Sequence, residues 1–296
     1  MKRLIAIILT LTLGLAGCAS SEDQDSSQNM MSYDTDMGTV EYVANPTIYA
    51  DYYVGQLLYL GGDVIGADMT YPAETWTSVA EEKGVQNISN DMEAVAALAP
   101  DLIVTMNADF YEQYSAIAPT ILIPYGTYNQ EDIVVELGKV LGKEEEANKW
   151  VSEFNANIET LKTEIDDPAK TIGIVDSWGG AMYMYGANFG RGGYILYDKL
   201  GLQGTEKAED EYVRDANSYL TVDAESLTNY AGDVLFICAT DEGVKEVESL
   251  PTYEDLEAVQ NDQVIVLDYD TFLYDDPYSL NAQIEVLTEI YGSEDL

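Results

Sequence analysis

Histidine is absent from this 296-residue chain. The usual general base at neutral pH and the commonest metal ligand are therefore missing. Ser-His-Asp and Cys-His catalytic arrangements are impossible, as is capture of zinc or manganese through imidazoles. Haem would have to be held by a tyrosine or a methionine. Basic residues are also scarce: 13 Lys and Arg stand against 54 Asp and Glu, a formal net charge of −41. That sign excludes binding to nucleic acid. Taken alone it reads as colloidal solubility, with steering of a cationic or neutral ligand as the sharper alternative. Only two cysteines are present, Cys18 and Cys238. Cys238 lies in the apolar run VLFICAT and reads as a buried strand thiol.

The N-terminus carries an address. Lys2 and Arg3 precede an apolar run over residues 4–13, and Leu15-Ala16-Gly17-Cys18 closes it. The run is too short to span a bilayer and fits a lipoprotein signal peptide over residues 1–17. Cys18 would carry the lipid and hold the chain at the extracellular face of the cell membrane without crossing it. Removing Lys2 and Arg3 takes two positive charges from −41 and leaves −43. Residues 18–40, rich in Ser, Asp, Gln and Asn, read as a flexible acidic tether.

The remaining residues are enough for one large or two medium domains. Short aliphatic runs bounded by polar residues, at 101–106, 120–123, 171–175, 234–238 and 264–267, predict buried strands. Segments 91–98, 130–141, 193–200, 223–230 and 280–291 predict helices, with Asp91 as an N-cap and Pro100 as a stop. This alternation predicts an α/β fold with mainly parallel sheets. Segment 143–166 holds no glycine or proline and carries apolar residues on one face at 147, 150, 151, 154, 158, 161 and 165. Its length and position suggest a bridge between an N-terminal lobe (41–142) and a C-terminal lobe (167–296); an ordinary long helix within one domain has the same pattern.

Arginine occurs only at positions 3, 191 and 214. Arg191 sits in MYMYGANFGRGGYILYDKLGL, between Gly190 and Gly192 and just after Phe189. Flanking glycines let something bulky approach the backbone, and a guanidinium beside an aromatic ring offers a rigid set of donors next to an apolar face. A glycine-rich turn with an ion-paired surface arginine would look the same. The phrase is not a dinucleotide fingerprint, because a basic residue stands inside it and no acidic partner follows at the expected distance. The 23 tyrosines, with 3 Trp and 5 Phe, could line a cleft that is apolar in body and polar at its rim. Asp275 and Asp276 could in principle serve glycoside hydrolysis or calcium binding, but Pro277 follows and no acidic loop surrounds them.

The phrase YGANFGRGGYILYDKLGL resembles the glycine-arginine turn of ferric-hydroxamate siderophore-binding lipoproteins of Gram-positive ABC importers. TFLYDDPYSLN is similar to their closing aromatic-Asp-Pro-Tyr segment, and DMEAVAALAPDLIV, IAPTILIPY, LGKEEEANKWVSEF and SLTNYAGDVLF follow in the same order. The resemblance covers roughly residues 45–291. It implies two α/β lobes joined by one long helix, with a ligand cleft between them and no enzymatic activity. It implies that iron arrives already wrapped by its chelator, so that the protein supplies no metal ligand and needs no cofactor.

By the same resemblance, Arg191 would donate to hydroxamate oxygens, Phe189 would pack where the family usually has tryptophan, and Tyr183 would hydrogen-bond the chelate. Tyr125 and Tyr274 would line the cleft, with Tyr49, Trp76 and Trp178 as further wall candidates. Core packing is the alternative for each of these aromatics. Leu273 stands where the family shows an aromatic, so this departure and Phe189 fall on the walls that distinguish one chelate from another. Glu93 and Glu225 match the lobe-top glutamates that pair with permease arginines, and would dock a monomeric receptor. Solvated helix glutamates would look no different. Other cargoes of such receptors are catecholate chelates, haem and corrinoids. Highly anionic catecholate complexes fit poorly with so few basic residues. A cell-surface hydrolase lacks a nucleophile–base pair.

Overall fold

The computed structural model describes residues 29–215 and 218–293. The signal peptide and Cys18 lie outside the described residues. The first described element corrects the expected tether. Strands β1 (Met30–Thr35) and β2 (Gly38–Val43) form an antiparallel hairpin. The hairpin is held by long-range contacts. Tyr42 is buried and donates its hydroxyl to the Val140 carbonyl at 2.9 Å, and Tyr33 donates to Glu136 at 2.9 Å.

The N-terminal sheet is wholly parallel. It contains β3 (Thr47–Ala50), β4 (Asp63–Ala67), β5 (Gln86–Asn87), β6 (Leu102–Thr105) and β7 (Thr120–Leu122), in the spatial order β5-β4-β3-β6-β7. Leu102, Ile103 and Val104 are fully buried, as expected of a parallel strand covered on both faces. The chain leaves β3 toward β4 and later returns to its other side with β6. The carboxyl ends of β3 and β6 thus flank a topological switch point, where open α/β sheets form their crevices.

The second sheet has the order β10-β9-β8-β11-β12, from β8 (Ile172–Trp178), β9 (Ala181–Tyr185), β10 (Tyr219–Val222), β11 (Val234–Ile237) and β12 (Val264–Val266). β8, β11 and β12 run parallel, while β9 is antiparallel to both neighbours. A turn at Gly179 and Gly180, both at positive φ, makes the β8–β9 reversal. The fold is therefore two α/β lobes with mainly parallel strands.

Helix Glu144–Lys162 bridges the lobes and buries Ala147, Trp150, Phe154, Ile158 and Leu161 along one face. It is shorter than segment 143–166 at both ends. Helix Gln130–Leu141 has the predicted bounds, and the Asn129 side chain caps it by accepting from the N–H groups of Glu131 and Asp132. Two expected helices differ. Residues 223–230 form only the single 3₁₀ turn Leu227–Asn229, because Asp223 accepts from the Ser226 N–H in a competing local turn. The segment after the glycine-arginine turn is a π-helix, Tyr194–Lys199, closed by an i→i+5 bond from Leu200 N–H to Ile195 O at 2.8 Å.

The terminal helix Pro277–Tyr291 departs from the expected C-terminal lobe. It buries Leu280, Ile284 and Leu287 and packs against helices Val54–Tyr59, Glu74–Lys83 and Glu144–Lys162. Ser279 and Thr75 share a hydroxyl–hydroxyl hydrogen bond at 2.8 Å. The end of the chain thus returns to the N-terminal side.

Candidate functional site

The two segments that stood out in the sequence meet in space. A Cβ at Gly190 (φ +69°) would lie 2.3 Å from the Leu273 carbonyl oxygen, and one at Gly193 would lie 1.9 Å from the Gly186 oxygen. Only glycine permits this packing of residue 190 on Leu273 and of residue 193 on Gly186. Arg191 itself has φ +57°, a left-handed conformation uncommon for a non-glycine residue. The conformation is held because the guanidinium is fixed on three sides. Its Nη2 donates to Asp176 Oδ2 at 3.1 Å, and its Nε lies 3.4 Å from the same oxygen. Its carbon lies 4.5 Å from the Tyr185 ring centre and 5.7 Å from that of Tyr269. Burial pushes the Asp176 carboxyl above its ordinary range, against the pull of Arg191.

Arg191 lies on the wall of a cleft of ≈ 620 Å³ between the lobes. The N-terminal lobe contributes Tyr52, Tyr53, Trp76 and Tyr125, and the other lobe contributes Trp178, Tyr185, Phe189 and Tyr269. Tyr274, Asp275 and Asp276 from the returning segment complete it. The volume suits a small organic ligand, and the lining is an aromatic body with few polar groups. The rings form edge and stacked contacts: Tyr52 with Tyr125 at 5.8 Å, Tyr125 with Phe189 at 6.1 Å and Tyr185 with Phe189 at 5.9 Å. Two hydroxyls tie the lobes across the gap. Tyr125 donates to the Asn188 carbonyl at 2.7 Å, and Tyr274 donates to the Tyr71 carbonyl.

Arg191, Phe189, Tyr125, Tyr274, Trp76 and Trp178 are brought together on this wall. Tyr183 and Tyr49 are not. Tyr183 shares a face of β9 with Tyr185 by the two-residue strand period, their rings 6.4 Å apart, but Tyr185 is the one beneath Arg191. Tyr49 is fully buried and is not part of the cleft lining; its ring is tilted against that of Tyr114 at 5.6 Å and its hydroxyl donates to the Ser89 carbonyl. Glu93 and Glu225 are both exposed, in the first turn of helix Met92–Leu98 and just before the turn Leu227–Asn229. Cys238 is fully buried at the end of β11, and burial pushes its thiol well up.

Sequence reasoning missed the carboxyl groups of this site. Asp276 caps the terminal helix, accepting from the N–H groups of Tyr278 and Ser279 at 2.9 and 3.3 Å. Asp275 Oδ2 accepts from Gly190 N–H at 3.1 Å and from Gln130 Nε2 at 3.2 Å, joining elements of both lobes. Burial pushes the Asp275 carboxyl up to about 7. The adjacent acids before Pro277 were a visible signal, but nothing local separates a cap from an interlobe acceptor. Among the described residues, no three acidic, cysteine or histidine side chains gather to hold a metal ion.

Residues 63–271 match the family model described as periplasmic binding protein. The chain is 30% identical over 309 residues to the iron(3+)-hydroxamate-binding protein YxeB of Bacillus subtilis, covering 97% of this chain and 95% of that protein. Among solved structures it is similar to the FhuD protein from S. pseudintermedius, with a TM-score of 0.78, 27% identity and coverage of 90% of this chain and 99% of that one. It is also similar to FhuD2 from Staphylococcus aureus with bound ferrioxamine B, with a TM-score of 0.74, 26% identity and coverage of 83% and 98%.

Proposed function

The chain belongs to the periplasmic binding protein family, and on that premise we propose that it captures ferric hydroxamate complexes outside the cell and delivers them to an ABC permease. The observation that carries this reading is the aromatic interlobe cleft with Arg191 fixed on its wall by a glycine turn. A ferric trihydroxamate saturates its iron with six oxygens of its own, so the protein acts on the outside of the chelate. Tyr125, Phe189, Tyr185 and Tyr274 would pack against its organic shell, and the edge of Arg191 not used by Asp176 would donate to hydroxamate oxygens. The role is binding and release, with no chemical step.

In this reading Cys18 carries a lipid that holds a monomeric receptor at the outer face of the membrane. Glu93 and Glu225, one on each lobe, present negative anchors whose spacing a permease can sense. The test is a titration of the purified full chain, followed by tyrosine and tryptophan fluorescence, with ferrichrome, ferrioxamine B, a ferric catecholate, haem and a corrinoid. Saturable quenching by the hydroxamate complexes alone is expected. A preference for any other cargo would refute the hydroxamate assignment.

A further inference from the structure

Tyr71 and Trp178 line the cleft yet are 66% and 61% exposed, which puts them at its open side. Neither has a role in the packing proposed above. Tyr71 belongs to the N-terminal lobe, in the loop between β4 and helix Glu74–Lys83. Trp178 belongs to the other lobe, at the end of β8. Their rings meet edge to face across the gap, 6.3 Å apart at 77°. Both backbones are held, while the rings reach into the open. Pro72 biases Tyr71 toward extended backbone, the Tyr71 carbonyl accepts from Tyr274, and the Thr70 N–H donates to Asp68 at 3.0 Å. Trp178 is fixed by its ladder pairing with Ala181. By the two-residue strand period it shares a face of β8 with Asp176, the partner of Arg191.

The distribution of exposed rings points to a ligand. Among the described residues the exposed aromatic side chains are Tyr71, Tyr125, Tyr128, Trp178 and Tyr219, and Tyr71, Tyr125 and Trp178 all line this one cavity. Scattered exposed rings need no explanation, but rings gathered at a cavity mark a contact surface. A cavity of ≈ 620 Å³ encloses about 70–90% of a small ligand's surface, so the rest stays at the mouth, where Tyr71 and Trp178 stand. A single edge contact between two exposed rings is weak enough for that part of a ligand to displace it. The ring faces are apolar. Methylene chains would cover them and give up no hydrogen bond. Peptide amides would lose water against them and gain no partner in return.

We propose that Tyr71 and Trp178 are specificity-determining residues that close on the outward face of the chelate and favour hydroxamates joined by hydrocarbon chains over those built on a peptide ring. This inference rests on the receptor role proposed above. The experiment compares ferrioxamine E with ferrichrome. Both are neutral and wrap iron in three hydroxamates, the first through methylene chains with isolated amides and the second through a peptide ring. In the full chain, Tyr71→Ser/Trp178→Ser should weaken ferrioxamine E about tenfold, as expected for roughly 50 Å² of hydrocarbon left uncovered, and ferrichrome by no more than about twofold. The exposure of both side chains lets this variant keep its fold. The gallium(III) complex of ferrioxamine E, which does not quench emission as iron does, gives an independent readout. Trp76 and Trp150 are already buried, so a blue shift of tryptophan emission at saturation belongs to Trp178. The shift should vanish in Trp178→Phe, which should still bind.

A weakening that is absent, equal for the two chelates or greater for ferrichrome overturns the inference and leaves the receptor role standing. So does saturation of the native chain by the gallium complex with no blue shift. Unchanged chelate affinities with impaired iron uptake by cells carrying the double variant also overturn it, because the rings would then belong to the permease-facing surface. Binding of neither chelate by the native chain overturns this inference together with the receptor role.

Discussion

Replacing Arg191 by alanine removes two things at once, and the structure allows them to be separated. The guanidinium and Asp176 form a buried pair, their side chains 8% and 2% exposed. Breaking such a pair leaves a buried carboxylate without its counter-ion, a loss of about 3–5 kcal/mol. At roughly 2–4 °C per kcal/mol for a chain of this size, the melting temperature should fall by about 6–20 °C. If the guanidinium also donates charged hydrogen bonds to the chelate, affinity should fall by about 1.5–3 kcal/mol, or roughly ten- to hundredfold. Arg191→Ala/Asp176→Asn tells the two losses apart. Neutralising Asp176 should recover most of the stability, because no bare charge remains buried, but none of the affinity. Thermal melts and fluorescence titrations on the native chain, both single variants and the double variant give the cycle. Recovery of full affinity in the double variant would refute the reasoning, since Arg191 would then serve only as counter-ion to Asp176.

Asp275 supplies a prediction in pH. Its folded pKa of about 7 lies above the ordinary value of roughly 3.9, so the folded state holds the proton more tightly. Its contribution to stability is full below about pH 4, is lost as pH rises to about 7, and stays lost above, a change of at most about 4 kcal/mol. Asp275→Asn should flatten this part of the profile in urea denaturation between pH 4 and 8; identical profiles would refute the assignment. Tyr42→Ala should destabilise the chain by about 3–5 kcal/mol in the same assay, because the ring is buried and its hydroxyl holds the hairpin to Val140. Glu93→Ala and Glu225→Ala should leave chelate affinity unchanged and impair iron uptake by cells, and normal uptake in the paired variant would remove both from docking.

The strands that could be read in the sequence are those buried on both faces. Residues 102–105, 172–175 and 234–237 are short, largely apolar runs, and their burial is nearly total. The hairpin 30–43 was hidden by its composition. Its signal was a two-residue alternation, Met31 and Tyr33, then Val40 and Tyr42, diluted by Ser, Asp and Thr on the outer face. What makes it strand is Tyr42 reaching a carbonyl 98 residues away, and no window contains that. The cleft followed the same division. Arg191 and Phe189 stand in a phrase whose glycines announce a close approach. Tyr52, Tyr185 and Tyr269 have no such marker, and their membership depends on how two lobes face each other. Tyr185, one strand period from Tyr183, is the ring beneath Arg191, a distinction that only the position of Arg191 draws.

The connection between the lobes bears on how the cleft admits its ligand. Helix Glu144–Lys162 is one strap, and the terminal helix Pro277–Tyr291 is a second. Trp150 on the first donates to Asn281 on the other at 3.2 Å, so the two straps are fastened to each other. Lys199 and Tyr194 of the C-terminal lobe both reach Glu131 of the N-terminal lobe at 2.6 Å, close to this axis. A wide hinge motion would break these contacts and expose the apolar faces of both helices, at a cost of many kcal/mol. The bonds at the mouth are of another kind: Tyr125 to Asn188 and Tyr274 to Tyr71 are single exposed hydrogen bonds, each worth about 1 kcal/mol net. A chelate that makes a few contacts of similar strength can replace them. The geometry therefore supports entry by a small tilt at the rim over a fixed axis, with the ligand exchanging its own contacts for the rim hydrogen bonds.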